Sequence, residues 1–158
     1  MANRALLVGI NAYKDAPLRG CVNDVSDLQE FLTHACDFAA ADIRVLLDGA
    51  ATAAEIKRHL ADWLVGDAAP QDRLIFHFSG HGTQLPGRDG SVHDVICPAD
   101  FDFTEATAVS DVDFSELFKA LPAEAHFVWI ADSPLRIPSG CGYGWRRPVA
   151  SSTAYSSE

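Results

Sequence analysis

Basic residues are scarce in this sequence: 12 Lys and Arg stand against 22 Asp and Glu, a net charge of -10. Such a surface repels phosphate backbones and anionic lipid, so neither nucleic acid nor a membrane is expected as a partner. Cationic ligands, divalent metal and basic peptides suit it better. Cysteine is sparse as well. Cys21, Cys36, Cys97 and Cys141 contain no C-x-x-C pair and are too few for a disulfide framework. The first three read as small buried or half-buried apolar residues, and a reducing cytosol fits them. Long apolar runs are missing too. Ala5 to Ile10 is too short for a signal core with flanks or for a membrane span, so the expected location is the cytosol.

What is present suffices for one hydrophobic core. A chain of 158 residues at 48% hydrophobic composition is too short for two ordinary domains. Residues 4 to 10 form a continuous apolar run, the pattern of a strand buried on both faces of a parallel sheet. From Asn23 the spacing changes to that of an amphipathic helix, with Val25, Leu28, Leu32 and Ala35 on its inner stripe. Ile43 to Leu47 predicts a second strand. Thr52 and Glu55 then supply a capping box for a helix with the stripe Ile56, Leu60, Trp63 and Leu64.

Arg73 to Phe78 predicts a third strand, which Ser79-Gly80-His81-Gly82 ends in a tight loop. Residues 86 to 112, rich in Gly, Pro and Asp, read as loop with a short strand at Val95-Ile96. Asp113 is expected to cap a short helix through Leu121. His126 to Ala131 predicts a fourth core strand with Trp129 in the core. Alternating strands and helices with short links imply an α/β fold with a mostly parallel sheet covered on both faces. Ligands bind such sheets at the carboxyl ends of the strands, so the loops after strands three and four should share one crevice. Residues 134 to 158 have neither a 2-residue nor a 3.6-residue period and read as an irregular tail after a domain of residues 1 to 133.

Three segments carry a resemblance: Ala5-Leu6-Leu7-Val8-Gly9-Ile10-Asn11-Ala12-Tyr13, Leu18-Arg19-Gly20-Cys21-Val22-Asn23-Asp24, and His77-Phe78-Ser79-Gly80-His81-Gly82. In this order and spacing they resemble the large-subunit region of a caspase-like cysteine peptidase of the metacaspase or bacterial orthocaspase type. The resemblance implies a three-layer caspase-like fold, here truncated before the small-subunit strands, so that a sheet edge beside strand four is open to pairing with another chain. It also implies a histidine that protonates the leaving amine while a neighbouring cysteine thiolate attacks the peptide carbonyl. His81 takes the histidine role, and Gly82 would offer its N–H to the developing oxyanion.

The cysteine should follow strand four in a segment resembling Asp-Ser-Cys-His-Ser-Gly. This chain instead reads Asp132-Ser133-Pro134-Leu135-Arg136-Ile137-Pro138, with Pro134 at the nucleophile's place. Pro-Leu-Arg-Ile-Pro can be written CCA CTC CGG ATC C, and TG placed in front turns this into TGC CAC TCC GGA TCC, or Cys-His-Ser-Gly-Ser. A frameshift at the nucleophile codon would account for both Pro134 and the patternless tail. Cys141, in Gly140-Cys141-Gly142, has no predicted strand to position it as a substitute nucleophile.

The family's preference for Arg or Lys before the cleaved bond implies a pocket with acidic walls. The matching positions are Asp24 and Asp132, for which a helix cap and a strand-end turn residue are the alternatives. Calcium dependence in the family draws attention to Asp89, Asp94, Asp100, Asp102, Asp111 and Asp113. Asp111 and Asp113 match best, and a solvated acidic loop with a helix cap is the alternative. The chain as written is therefore expected not to cleave peptides. Two other readings compete: a non-catalytic module that captures basic peptides or a full-length paralogue, and a flavodoxin-like or Rossmann nucleotide binder. The last needs a Gly-rich phosphate loop after strand one, where the chain offers Val8-Gly9-Ile10-Asn11-Ala12-Tyr13.

Overall fold

The computed structural model describes residues 1–87 and 89–133. Four strands form a parallel sheet: β1 (Asn3–Gly9), β2 (Ile43–Leu47), β3 (Arg73–Ser79) and β7 (His126–Asp132), in the order β2-β1-β3-β7. Helix α1 (Cys21–Ala35) lies between β1 and β2 in sequence. Helix α2 (Ala53–Arg58), which continues as a π-wound stretch over His59–Val65, lies between β2 and β3. Each side chain of a strand points to the face opposite its neighbours, so a strand covered on both sides is apolar throughout. In β1 this division is direct. Ala5 and Leu7 pack with Val25, Leu32, Phe38 and Ile43 on the α1 side, whereas Leu6 and Val8 pack with Ile56, Leu60, Leu64, Phe76 and Phe114 on the other.

Residues 86 to 112 were expected as loop with one short strand, but the stretch from Gly82 to Ser110 builds a second sheet. Strands β4 (Gly82–Pro86), β5 (Val92–Ile96) and β6 (Val109–Ser110) pair antiparallel over a small core of Leu85, Val95 and Ala108. Helix α3 (Asp111–Lys119) starts earlier than expected because its N-cap is Ser110 rather than Asp113. Ser110 Oγ accepts from Asp113 N–H while Asp113 Oδ2 accepts from Ser110 N–H at 2.8 Å, a reciprocal capping box. Ser110→Ala removes half of this exchange and should cost about 1 kcal/mol, read as a lower urea midpoint with an unchanged slope.

The fourth strand is present but is not a core strand. Val128, Trp129 and Ile130 are 49%, 40% and 37% exposed, because among the described residues β7 has β3 on one side and no strand on the other. Trp129 stacks on Phe114 at 4.0 Å, so it covers the core from the edge. In α1, Ala35 of the expected stripe is exposed and Leu28 is half-buried.

Candidate active site

The carboxyl ends of β1, β3 and β7 meet at one end of the parallel sheet. Their junction is fixed by backbone bonds from Ile10 N–H to Ser79 O at 3.0 Å and from Gly80 N–H to Asp132 O at 3.2 Å. Between β3 and β4 the chain must turn in the two residues Gly80 and His81, and the first has no room for a side chain. A methyl group on Gly80 would come within 2.5 Å of the Tyr13 hydroxyl and 2.8 Å of the Phe78 ring.

His81 is 8% exposed and is held from three directions. Its backbone N–H donates to the Tyr13 hydroxyl at 3.0 Å, and that hydroxyl donates in turn to Cys97 O at 2.7 Å. Burial raises the Tyr13 pKa well above its ordinary value, so the phenol stays a neutral donor. The Tyr13 and His81 rings lie 4.5 Å apart at 51°. Imidazole Nε2 sits 2.7 Å from the Ala16 carbonyl, which can only accept. Nε2 is therefore assigned the proton, and the lone pair falls on Nδ1, which is buried without a partner among the described residues. An imidazole with one nitrogen anchored and the other free is suited to proton transfer.

Gly82 follows directly. Cys97 N–H donates to His81 O at 2.9 Å, which makes 81 and 97 a hydrogen-bonded pair; the next pair, Gly82 and Ile96, is by alternation a non-hydrogen-bonded one. The Gly82 N–H is thus directed away from β5. A methyl on Gly82 would lie 2.7 Å from Ser133 Oγ, so the residue preceding position 134 sits against this loop. Pro134 and Cys141 lie outside the described residues. Cys97 is no substitute nucleophile, since burial pushes its thiol up to about 12.

Asp24 and Asp132 are brought to the same side. Asp24, on the first turns of α1, accepts from Ser79 Oγ at 2.8 Å, and Asp132 is in register with Ser79 on the neighbouring parallel strand. Asp24 does not cap α1, whose N-cap is Gly20; the Cys21 N–H is met instead by Asn11 Oδ1 at 3.0 Å. Two residues before Ser79 on the same face of β3 is His77, 4% exposed, with its Nδ1 buried and unpartnered among the described residues. Burial lowers its pKa, while Asp24 and Asp132 oppose that shift. Ser79, His77 and Tyr13 stand in the segments that carry the resemblance but were given no role from sequence, and Ala16 lies outside those segments. Only the alternation of β3, which puts 77 and 79 on one face, could have pointed to the first two.

Asp111 and Asp113 are elsewhere, at the start of α3. Asp111 Oδ1 pairs with His93 Nδ1 at 3.0 Å, and Asp113 Oδ2 serves the capping box and Lys57 Nζ at 3.1 Å. Among the described residues no three His, Cys, Asp or Glu side chains converge as a metal cluster. Calcium takes six or more oxygen ligands, and these two carboxylates are engaged here by His93, Ser110 and Lys57. Ser91 is not poised as a nucleophile: its Oγ lies 2.8 Å from His93 Nε2 but donates to Asp89 Oδ1 at 2.5 Å.

A family model described as metacaspase, peptidase C14 domain, matches residues 3–136. Metacaspase-1 of Coccidioides immitis is 38% identical over 141 residues, which cover 82% of this chain and 30% of that protein. Metacaspase-1 of Candida glabrata is 38% identical over 141 residues, covering 82% of this chain and 36% of its own length. The chain thus spans about a third of the length of these relatives. A solved protein from Geobacter sulfurreducens superposes with a TM-score of 0.71 at 22% identity, over 84% of this chain and 50% of that one, and supports the fold. No helix among the described residues is long and apolar enough to cross a membrane.

Proposed function

The chain belongs to the metacaspase family, peptidase C14, and from that premise we propose that it carries the cleft of a cysteine endopeptidase for bonds after Arg or Lys, without the nucleophile. The observation that carries the basic preference is the grouping of Asp24, Ser79 and Asp132 beside His81. A guanidinium or ammonium entering there would meet carboxylate oxygens in charge-assisted hydrogen bonds. His81 Nδ1 would return a proton to the leaving amine, and the Gly82 N–H would face the carbonyl oxygen as negative charge develops on it. Attack needs a thiolate at position 134, and proline has none. On this reading the chain holds basic peptides and does not turn them over. Reading the coding DNA checks the frameshift: codons that cannot yield Cys-His-Ser-Gly in the other frame would remove it.

Pairing with another chain is a second part of the proposal. It is favoured by β7, whose outer edge has no strand partner among the described residues and whose Val128, Trp129 and Ile130 are exposed.

The pocket is tested by calorimetry with acetyl-Gly-Gly-Arg-amide and its citrulline counterpart, which has the same shape without the charge. The arginine peptide should bind and the citrulline peptide should not. Asp132→Asn and Asp24→Asn should each weaken the arginine peptide roughly tenfold or more, the range for a hydrogen bond to a charged group. Equal binding of the two peptides would refute the acidic pocket.

A further inference from the structure

We propose that His77 is the pocket's own competing cation: its imidazolium and the cationic head of a bound Arg or Lys side chain are alternative counter-ions for Asp24 and Asp132, so that acidification expels the ligand. This inference rests on the reading of Asp24 and Asp132 as the basic-residue pocket.

The placement follows from the sheet. His77 and Ser79 share one face of β3. His77 is in register with Leu7 of β1 and Ile130 of β7, both apolar, while Ser79 is in register with Asp132. The charged groups that act on His77 are Asp24 from α1 and Asp132 from β7. The imidazole is 4% exposed, and its Nδ1 has no hydrogen-bond partner among the described residues. An apolar residue would fill this place between Leu7 and Ile130 without leaving a buried polar atom unpaired. A titratable ring under two carboxylates responds instead to whatever neutralises them.

Burial disfavours the charged ring and the two carboxylates favour it, the first being larger, so the His77 pKa in the empty pocket lies below its ordinary 6.5. A cationic ligand bound to those carboxylates adds a positive charge and lowers it further. Reciprocity then fixes the sign for binding: affinity is full above the His77 pKa and falls as pH drops through it, because the ligand must displace a proton.

The test measures the affinity of the full chain for acetyl-Gly-Gly-Arg-amide between about pH 7.5 and about pH 5, beside His77→Gln. Affinity of the unmodified chain should fall severalfold across this range, within the usual scale of coupling between sites. The variant should stay flat across the same range. A second readout needs no variant: the His77 ring titration, followed by NMR, should move down by about one pH unit at saturating peptide, the shift that matches a tenfold coupling. Parallel pH profiles for the two proteins, or a His77 titration indifferent to peptide, would overturn the proposal while leaving the pocket in place. No binding of the arginine peptide at any pH would overturn the pocket and this inference together. If His77→Gln fails to fold, the NMR titration decides alone.

Discussion

The chain as written should leave fluorogenic peptides ending in Arg or Lys uncut, and the same chain carrying Cys-His-Ser-Gly in place of residues 134 to 137 should cut them. The four changes are Pro134→Cys, Leu135→His, Arg136→Ser and Ile137→Gly. The size of the expected difference comes from how catalytic groups act together. Removing the nucleophile of a hydrolytic constellation costs on the order of 10⁶ in turnover, about as much as removing the whole set, because the base has nothing left to activate. What stays behind is positioning and oxyanion stabilisation. On the proposed reading those parts belong to His81 and Gly82. His81 has its Nε2 bonded to Ala16 O, its backbone bonded to Tyr13, and a free Nδ1, and Gly82 lies against Ser133. Cleavage by the unmodified chain would sink the assignment of Pro134 to the nucleophile's place. Silence in both proteins would sink the claim that the surrounding machinery is competent.

All four strands of the parallel sheet were legible as short apolar runs, most plainly those with two-sided burial. β1 and β3 announce themselves because each has a layer on both faces, and Ala5, Leu7, Leu6 and Val8 divide cleanly between the two cores. The same apolar signature misleads at β7. Val128, Trp129 and Ile130 look like a central strand, yet a run of large apolar residues does not say whether a second neighbour covers it. The second sheet was hidden for another reason. β6 is two residues long, and Val92-His93-Asp94-Val95-Ile96 does not alternate, so pairing across the Gly-rich hairpin supplies the order that local pattern lacks.

At the site, His81 and the two acidic positions could be placed by motif. Their supports could not. Tyr13 reaches His81 across 68 residues and the Ala16 carbonyl across 65, and a backbone carbonyl has no side-chain identity to read. His77 opens a matching segment, but nothing in the sequence assigned it a task. Its meaning depends on Asp24 arriving from a helix and Asp132 from the far neighbour strand.

The largest stability effect is expected at the opposite end of the same strands. Arg4 and Asp72 form a buried pair at 3.2 Å, with side chains 9% and 4% exposed. Arg4 also donates to Trp63 O at 2.7 Å and Asp67 O at 2.6 Å, which ties the start of β1 to the end of the π-wound stretch. Asp72 accepts from Ala2 N–H at 2.6 Å and from Ala69 N–H at 2.9 Å. Asp72→Ala leaves a buried guanidinium without its carboxylate and two backbone donors without an acceptor. The expected loss is about 3 kcal/mol or more in urea unfolding at neutral pH. The pH dependence has a definite sign. The Ala2 backbone hydrogen bond first, then those from Ala69 and Arg4, hold the Asp72 carboxyl below its ordinary 3.8. A depressed folded-state pKa gives stability that is present above the unfolded value and is lost as pH falls through the folded one. Asp72→Asn keeps much of the shape without the charge, so it should lose less stability at neutral pH and flatten the acid limb of the stability curve below about pH 4. A loss under about 1 kcal/mol for Asp72→Ala would show that the pair is solvated and carries little, as exposed pairs do. The arginine-peptide affinity of the folded fraction should not change in either variant, because this clamp lies at the amino ends of β1 and β3 and the site lies at their carboxyl ends.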